Sequence, residues 1–199
     1  MNEKNSPVAS PDKTVRVLAD MQRWLQRAVI GLNLCPFAKA VQVKGHIHWV
    51  VSAATSRAPV LADLKRELQD LASAQAQVRD TTLLVIPECL GEFLEFHDFL
   101  QTADRLLVKL RLDGVLQIAS FHPLYEFADA PPGDITHFTN RAPYPTLHLL
   151  RESSVARAVQ AFPEADRIVD KNRQTLRHLG FAGWAALGVA ATTPRTGEN

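Results

Sequence analysis

A long proline-rich segment is the feature that most constrains how this chain can fold. Five of the 12 prolines lie between Pro123 and Pro145, so the segment can form neither a continuous helix nor a central strand. It also carries side chains that bind ligands or react, namely Tyr125, His137, Asn140, Arg141 and Tyr144. Such a composition differs from that of a disordered linker, and long ordered loops in compact domains are usually functional. We therefore expect an ordered loop at a functional site.

Length and composition favour a single soluble domain. The chain has 199 residues, of which 46% are hydrophobic, and this is enough to bury a substantial core. We expect one α/β domain over residues 13–191, with a disordered lead-in at 1–12 and a disordered tail at 192–199. Neither a secretory signal nor an apolar run of the roughly 20 residues that span a bilayer is recognisable.

Charge and cysteine content argue against several classes of partner. Lys+Arg 22 and Asp+Glu 21 give a net charge of +1, so no overall field attracts nucleic acid or an anionic membrane. The two cysteines lie near apolar runs, which is typical of reduced thiols in the cytoplasm rather than of a disulfide framework. We therefore expect a cytoplasmic protein that binds neither nucleic acid nor a membrane. The sequence leaves its oligomeric state open.

Apolar periodicity predicts helices and strands that alternate along the chain. The predicted strands are 46–51, 81–86, 114–119 and 147–150. The predicted helices begin near residues 13, 59 and 91, and two more cover 153–161 and 163–180. Because crossover helices connect parallel strands, we expect an α/β fold with a small, mainly parallel sheet of about four strands flanked by helices.

The predicted topology places a binding site at one edge of the sheet. In open α/β sheets, ligands bind beyond the carboxyl ends of the strands. The residues that follow the first three predicted strands are 52–57, 87–89 and 120–122. If these strands are parallel, Arg57, Glu88 and His122 lie on the same edge, where the proline-rich loop begins.

Both cysteines are candidate catalytic thiols. Cys89 lies between a strand end and a helix start, where a helix dipole lowers a thiol pKa, although burial in the core is the competing interpretation. Cys35 lies in an apolar pentapeptide before a proline, and it has the same two interpretations. The neighbouring Glu88 is either a general base or a charge at the helix terminus.

Three histidines lie in or beside the loop and are candidate metal ligands. His122 ends a strand, His137 lies within the loop, and His148 lies on the fourth strand. Three imidazoles around a divalent transition metal leave a position for water or substrate. The spacings of 15 and 11 residues match no compact metal motif, so acid–base, hydrogen-bonding and structural roles stay open, with His122 the candidate acid or base.

Arginine and asparagine side chains are candidate ligand contacts. The planar fork of Arg141 suits a carboxylate or phosphate, as does that of Arg57 at another strand end, but an arginine can equally tie a loop to backbone carbonyls. Asn140 and Tyr144 are loop candidates beside Arg141. Asn172 falls on the buried stripe of the last helix, where its amide needs partners. It either pins the central loop or lines the site.

Three blocks of this sequence resemble a known family. They are Leu34-Cys-Pro-Phe-Ala38, Ser120-Phe-His-Pro123 and Asn140-Arg-Ala-Pro-Tyr-Pro-Thr-Leu-His-Leu-Leu-Arg-Glu152, and all three are similar to the family DUF1415. The similarity covers roughly residues 31–180. The resemblance implies membership of an uncharacterised family and no particular reaction. The motifs of dinucleotide sites, P-loops, serine hydrolases and zincins are not found in the sequence.

These observations favour a small enzyme that acts on a small, anionic molecule. We expect His122, Asn140, Arg141 and His148 to form one pocket, because the fourth strand can return beside the third. His122 would act as acid, base or metal ligand, Arg141 would bind the anion, and a thiol would lie nearby. The alternative is a non-catalytic module that binds a small ligand or a protein.

Overall fold

The computed structural model describes residues 11–162 and 164–192 as an α/β arrangement of helices around a four-stranded sheet. The strands are β1 (Ile47–Val51), β2 (Thr81–Val85), β3 (Leu116–Phe121) and β4 (Thr146–Arg151). The helices are α1 (Pro11–Trp24), α2 (Ala38–Val43), α3 (Arg57–Ser73), α4 (Phe93–Lys109), α5 (Glu152–Ala161) and α6 (Ile168–Ala186). A π-helical turn, Leu25–Ile30, continues α1, and short 3-10 turns cover Ile135–Thr139 and Ala165–Arg167.

The chain ends differ slightly from the prediction. Helix α1 begins at Pro11, a residue whose fixed φ suits the first helical position, so it starts inside the expected disordered lead-in. Thr192 is hydrogen-bonded to Asp20, so it belongs to the folded domain. The rest of the expected disordered ends, and the predicted helix start at Pro163, lie outside the described residues.

The sheet has the strand order β1-β2-β4-β3. Strand β2 is parallel to β1, whereas β4 is antiparallel to both β2 and β3. The first three strands therefore run in the same direction, as predicted. The expectation of a mainly parallel sheet is wrong, because the proline-rich loop brings the chain back at the carboxyl ends of β2 and β3, and β4 enters between them in the opposite direction.

One face of the sheet is fully covered by α3 and α4. Leu84 of β2 and both Leu147 and Leu149 of β4 point to this face and are completely buried. The helices contribute equally buried apolar residues, namely Val60, Leu64, Leu68, Leu71, Phe96 and Ala103. This layer is the main core, because each fully buried aliphatic side chain contributes roughly 1.5–3 kcal/mol.

The opposite face is covered by α1, its π-helical extension and α5. Val17, Met21 and Trp24 form the buried stripe of α1, which packs near Val85 and Phe121. This cover is less complete, since α5 has no fully buried residue. Among the described residues, none of the helices combines the length and apolar character required to cross a membrane.

Candidate functional site

The carboxyl edge of the sheet carries the charged residues expected there. Arg57, Glu88 and Cys89 line a shallow depression beyond β1 and β2. Both charges have protein partners: Arg57 donates to the backbone oxygen of Glu95 at 2.8 Å, and Glu88 pairs with the ammonium of Lys13. The pKa of the Cys89 thiol lies above its usual value because of partial burial and the charge of Glu95. These contacts tie α1 to the segment between β2 and α4, and they tie α3 to α4.

His122 lies at this edge but is completely buried behind the depression. Its Nδ1 accepts a hydrogen bond from the Leu124 amide at 3.0 Å, so its Nε2–H donates to the Leu90 carbonyl, also at 3.0 Å. Burial lowers the pKa of this imidazole, and its ring lies 5.0 Å from that of Phe96. With both nitrogens occupied, His122 holds two turns together and has no free atom for a metal or a substrate proton.

His137 is held in the same way within the loop. Its Nδ1 accepts from the Phe127 amide at 3.0 Å, and its Nε2 bonds to the Pro131 carbonyl at 2.8 Å. Within residues 11–162 and 164–192, no group of three or more His, Cys, Asp or Glu side chains is placed to hold a metal ion. The structure therefore does not bring His122, His137 and His148 together, because the first two rings are bonded to backbone groups and His148 lies elsewhere.

Asn140 fastens the loop to β3, and Arg141 ties two parts of the loop to each other. The Asn140 amide donates to the Ser120 carbonyl at 3.3 Å, and Arg141 Nε donates to the Tyr125 carbonyl at 3.2 Å. The Arg141 guanidinium also lies 4.4 Å from the centre of the Phe138 ring, a cation–π contact. These contacts correspond to the loop-tying interpretation, and the role of Arg141 in anion binding stays a prediction.

Tyr144 belongs to a buried cluster around Asp20, a residue that sequence reasoning did not single out. The Asp20 carboxylate is fully buried and accepts from the hydroxyl groups of Tyr144 at 2.9 Å and Thr192 at 2.5 Å, the Thr192 amide and Arg23. Burial raises its pKa, but these donors outweigh burial and hold the pKa below its usual value. Burial and the bond to Asp20 raise the pKa of Tyr144 to about 12. The sequence contains a signal for this role, because Asp20 is a charged residue at a position of the apolar stripe of α1.

Asn172 pins a different segment from the one expected. Its amide nitrogen donates to the Leu34 carbonyl at 2.8 Å. The partner precedes Cys35 and belongs to the segment between the π-helical turn and α2, not to the proline-rich loop. Asn172 thereby positions one wall of the cavity described next.

The largely apolar cavity between the sheet and the helices on its second face is here named the sheet pocket. Its volume is about 330 Å³, at the lower end of the range for small-molecule sites. The floor is formed by side chains of β2, β3 and β4, and the walls by the π-helical turn, the 35–41 segment and α5. The apolar lining residues include Trp24, Leu25, Val29, Phe37, Val41, Leu83, Ala119, Phe121, Leu150, Val155 and Ala158.

His148 lies in the floor of the sheet pocket. It pairs with Leu83 on one side and Ala119 on the other, so its side chain shares their face of the sheet. Its ring lies 6.1 Å from that of Phe121, and burial alone lowers its pKa to about 4. Neither ring nitrogen has a hydrogen-bond partner in the part of the chain that the structure describes. A neutral imidazole with one donor and one acceptor therefore faces the cavity.

Cys35 lines the same cavity from the wall. Burial raises the pKa of its thiol, although the amides of Phe37 and Ala38 act in the opposite direction. Among the described contacts there is no hydrogen bond between Cys35 and His148. The pocket is thus lined by an imidazole in its floor and a thiol in its wall.

The structure places most of the predicted site residues in three groups, whereas His137, Tyr144 and Asn172 lie outside these groups. His148 and Cys35 share the sheet pocket; Arg57, Glu88 and Cys89 share the edge depression; His122, Asn140 and Arg141 form the base of the loop. The expected single pocket of His122, Asn140, Arg141 and His148 is wrong. Phe121 and His148 share a face of the sheet, so His122, one residue further on, points to the opposite face, towards α4.

Comparisons with known proteins give a family and no activity. Residues 16–186 match the model of the family described as "Protein of unknown function (DUF1415)". Neither the curated proteins nor the solved structures provide a match to this chain. The matched region contains all four strands, the proline-rich loop and the complete sheet pocket. The chain therefore belongs to the DUF1415 family.

Proposed function

We propose that this protein binds a small, mostly apolar organic molecule in the sheet pocket, with His148 as the hydrogen-bonding group. The observation that carries the proposal is the unpartnered imidazole in the floor of an apolar cavity. The His148 side chain is only partly buried, so its ring nitrogens are accessible from the cavity, where one can donate and the other can accept a hydrogen bond. A ligand that occupies the cavity can take one of these hydrogen bonds.

The lining supports an organic ligand rather than a metal or a macromolecule. Apolar pockets with few polar groups are the usual form of small-molecule sites. The cavity is a concave site between the sheet, α5 and the 35–41 segment, a shape that suits a small molecule better than a large partner. If the ligand is also a substrate, His148 is a candidate acid or base and Cys35 a candidate nucleophile among the lining side chains. The two free cysteines further support a cytoplasmic location, which we propose with this function.

A pocket-filling substitution tests the proposal. Ala158 of α5 lines the pocket, whereas Ala156 of the same helix is exposed and does not. We expect p-xylene to bind the parent protein and the control variant Ala156→Phe with similar affinity. The affinity of Ala158→Phe for p-xylene should be at least about tenfold lower, because the new ring occupies the ligand volume. The measurement is an NMR titration that follows the His148 ring protons.

Two outcomes would contradict the proposal. One is p-xylene binding that is equal in Ala158→Phe and Ala156→Phe, because the ligand would then lie elsewhere. The other is a parent protein in which p-xylene leaves the His148 protons unchanged. Circular dichroism of both variants shows whether each retains the fold.

A further inference from the structure

The chemistry of the sheet pocket also limits the kind of ligand it takes. We infer that the ligand is an uncharged alcohol or phenol with an apolar body, whose hydroxyl group hydrogen-bonds to His148. This inference rests on the proposed function, and it names the ligand class of the same site.

The first step is the position of the polar groups in the lining. His148 lies in the row of the sheet formed with Leu83 and Ala119, and its neighbours there are apolar. The other polar lining residues gather at one end of the pocket, two residues along the strands; they are Asp80, Thr81, Gln117, Arg151 and Ser154. Two residues of strand correspond to roughly 7 Å. Within its row of the sheet floor, His148 is therefore the one polar side chain that a ligand group meets.

The second step is that, among the described lining residues, neither charged side chain is free to pair with a charged ligand group beside His148. The nearest cationic lining residue, Arg151, donates to the carbonyls of Leu71, Ala74 and Arg79 at 2.5–3.3 Å. The carboxylate of Asp80 accepts from the Ser154 hydroxyl at 2.6 Å. A carboxylate or ammonium group next to His148 would lose its hydration without a charged partner, which is costly.

The third step is the match between hydroxyl and imidazole. Burial lowers the His148 pKa to about 4, so the ring is neutral at pH 7 and has one donor and one acceptor nitrogen. A hydroxyl group both donates and accepts, so it satisfies the ring in either tautomer. Arg141, which would be needed for an anion, is not among the residues that line this pocket.

Four probes with the same ring test the inference: p-xylene, 4-methylphenol, 4-methylbenzoate and 4-methylbenzylammonium. Since engineered apolar cavities of about 150 Å³ already bind benzene, each ring fits the available volume. At pH 7.5 we expect 4-methylphenol to bind the parent protein roughly 2- to 12-fold more tightly than p-xylene, the factor expected for one net hydrogen bond. We expect both charged probes to bind at least about tenfold more weakly than 4-methylphenol. Titration calorimetry gives the four affinities.

Variants of His148 show whether the imidazole is responsible. In His148→Phe, 4-methylphenol and p-xylene should bind equally well, whereas His148→Gln, which keeps a hydrogen-bonding side chain, should restore part of the preference. The inference is overturned if 4-methylbenzoate binds as tightly as 4-methylphenol, or if the preference for phenol persists in His148→Phe. Equal binding of p-xylene and 4-methylphenol to the parent, lost in Ala158→Phe, overturns this inference and leaves standing the proposal that a small apolar molecule binds in the sheet pocket. Failure of all four probes to bind overturns both.

Discussion

At the scale of single residues, His122 directly after β3 and His148 within β4 have opposite roles. His122 uses both ring nitrogens to bond backbone groups, whereas His148 uses neither within the described structure. His122 thus links two backbone segments, whereas His148 is free to bond to a ligand, although both are histidines at the ends of the same loop region in the sequence. Only the hydrogen-bond partners distinguish them.

This difference predicts opposite effects on stability. His122→Ala leaves the buried Leu90 carbonyl and Leu124 amide without partners, so we expect the free energy of unfolding to fall by roughly 2–4 kcal/mol. His148→Phe replaces an unpartnered ring with another ring beside Phe121, and we expect a change of less than about 1 kcal/mol. Urea unfolding followed by circular dichroism measures both. Equal losses in the two variants would show that His148 is also a structural link.

At the scale of the elements, the strand positions followed from the sequence and the placement of β4 did not. Alternation and β-branched content located Ile47–Val51 and Thr81–Val85 closely. The insertion of β4 depends on the path of the proline-rich loop, which local patterns do not encode. Side chains alternate between the two faces of a strand, so an error of one residue in a strand prediction moves every side chain to the other face. The face on which His122 lies, one residue after Phe121, depends on such a single-residue difference. The candidate site was therefore only partly predictable.

Helix α5 differs from the other long helices in how it is held. None of its residues is fully buried, whereas α3 buries Val60, Leu64, Leu68 and Leu71. Its first turn is attached through Ser154 to Asp80, and the residue after its end, Phe162, packs edge to face on Phe37 at 5.9 Å. Between these attachments it covers the sheet pocket with Val155 and Ala158.

We therefore expect α5 to open more readily than α3. Amide hydrogens in the middle of α5 should exchange at least about tenfold faster than those of α3, which corresponds to about 1.4 kcal/mol less opening free energy. Mass-spectrometric hydrogen exchange on peptic fragments measures the two helices in one experiment, with α3 as the internal reference. Equal protection of the two helices would contradict this prediction and would mean that the pocket opens elsewhere.

At the scale of the whole molecule, Asp20 joins the beginning and the end of the described chain. Its carboxylate receives hydrogen bonds from Thr192 near the end of the chain and from Tyr144 beside β4. Val189 is buried against the same cluster as α1. The fold of α1 over the sheet, and with it one wall of the pocket, therefore depends on an ionised buried carboxylate.

This dependence predicts a defined effect of pH. At pH 7, Asp20→Asn should lower the free energy of unfolding by roughly 2–3 kcal/mol, since an amide nitrogen cannot accept from these donors. The folded-state pKa of Asp20 is depressed, so the stabilisation is present above the unfolded-state pKa of about 3.9 and is lost as pH falls through the folded value. The difference between parent and variant should be constant from pH 5 to 7 and shrink below about pH 4.

The exposed Asp12 of α1 provides the matched control, and Asp12→Asn should change stability by no more than about 0.5 kcal/mol. Urea unfolding curves at a series of pH values give the free energy of unfolding of the parent and of both variants. A difference between the parent and Asp20→Asn that stays constant down to pH 3 would contradict an ionised Asp20.

The insertion of β4 also sets an order of events during synthesis on the ribosome. In the described structure β3 is hydrogen-bonded to β4 alone, and β2 has β4 on its inner side. While the nascent chain is still shorter than about 150 residues, β1 and β2 can pair, but β3 has no partner and the inner edge of β2 is open. Exposed strand edges are templates for pairing with other chains. Strand β4 therefore has to leave the exit tunnel before the β1–β2 pair and β3 can join into one sheet. Because His148 lies on β4, the floor of the pocket is completed in the same step.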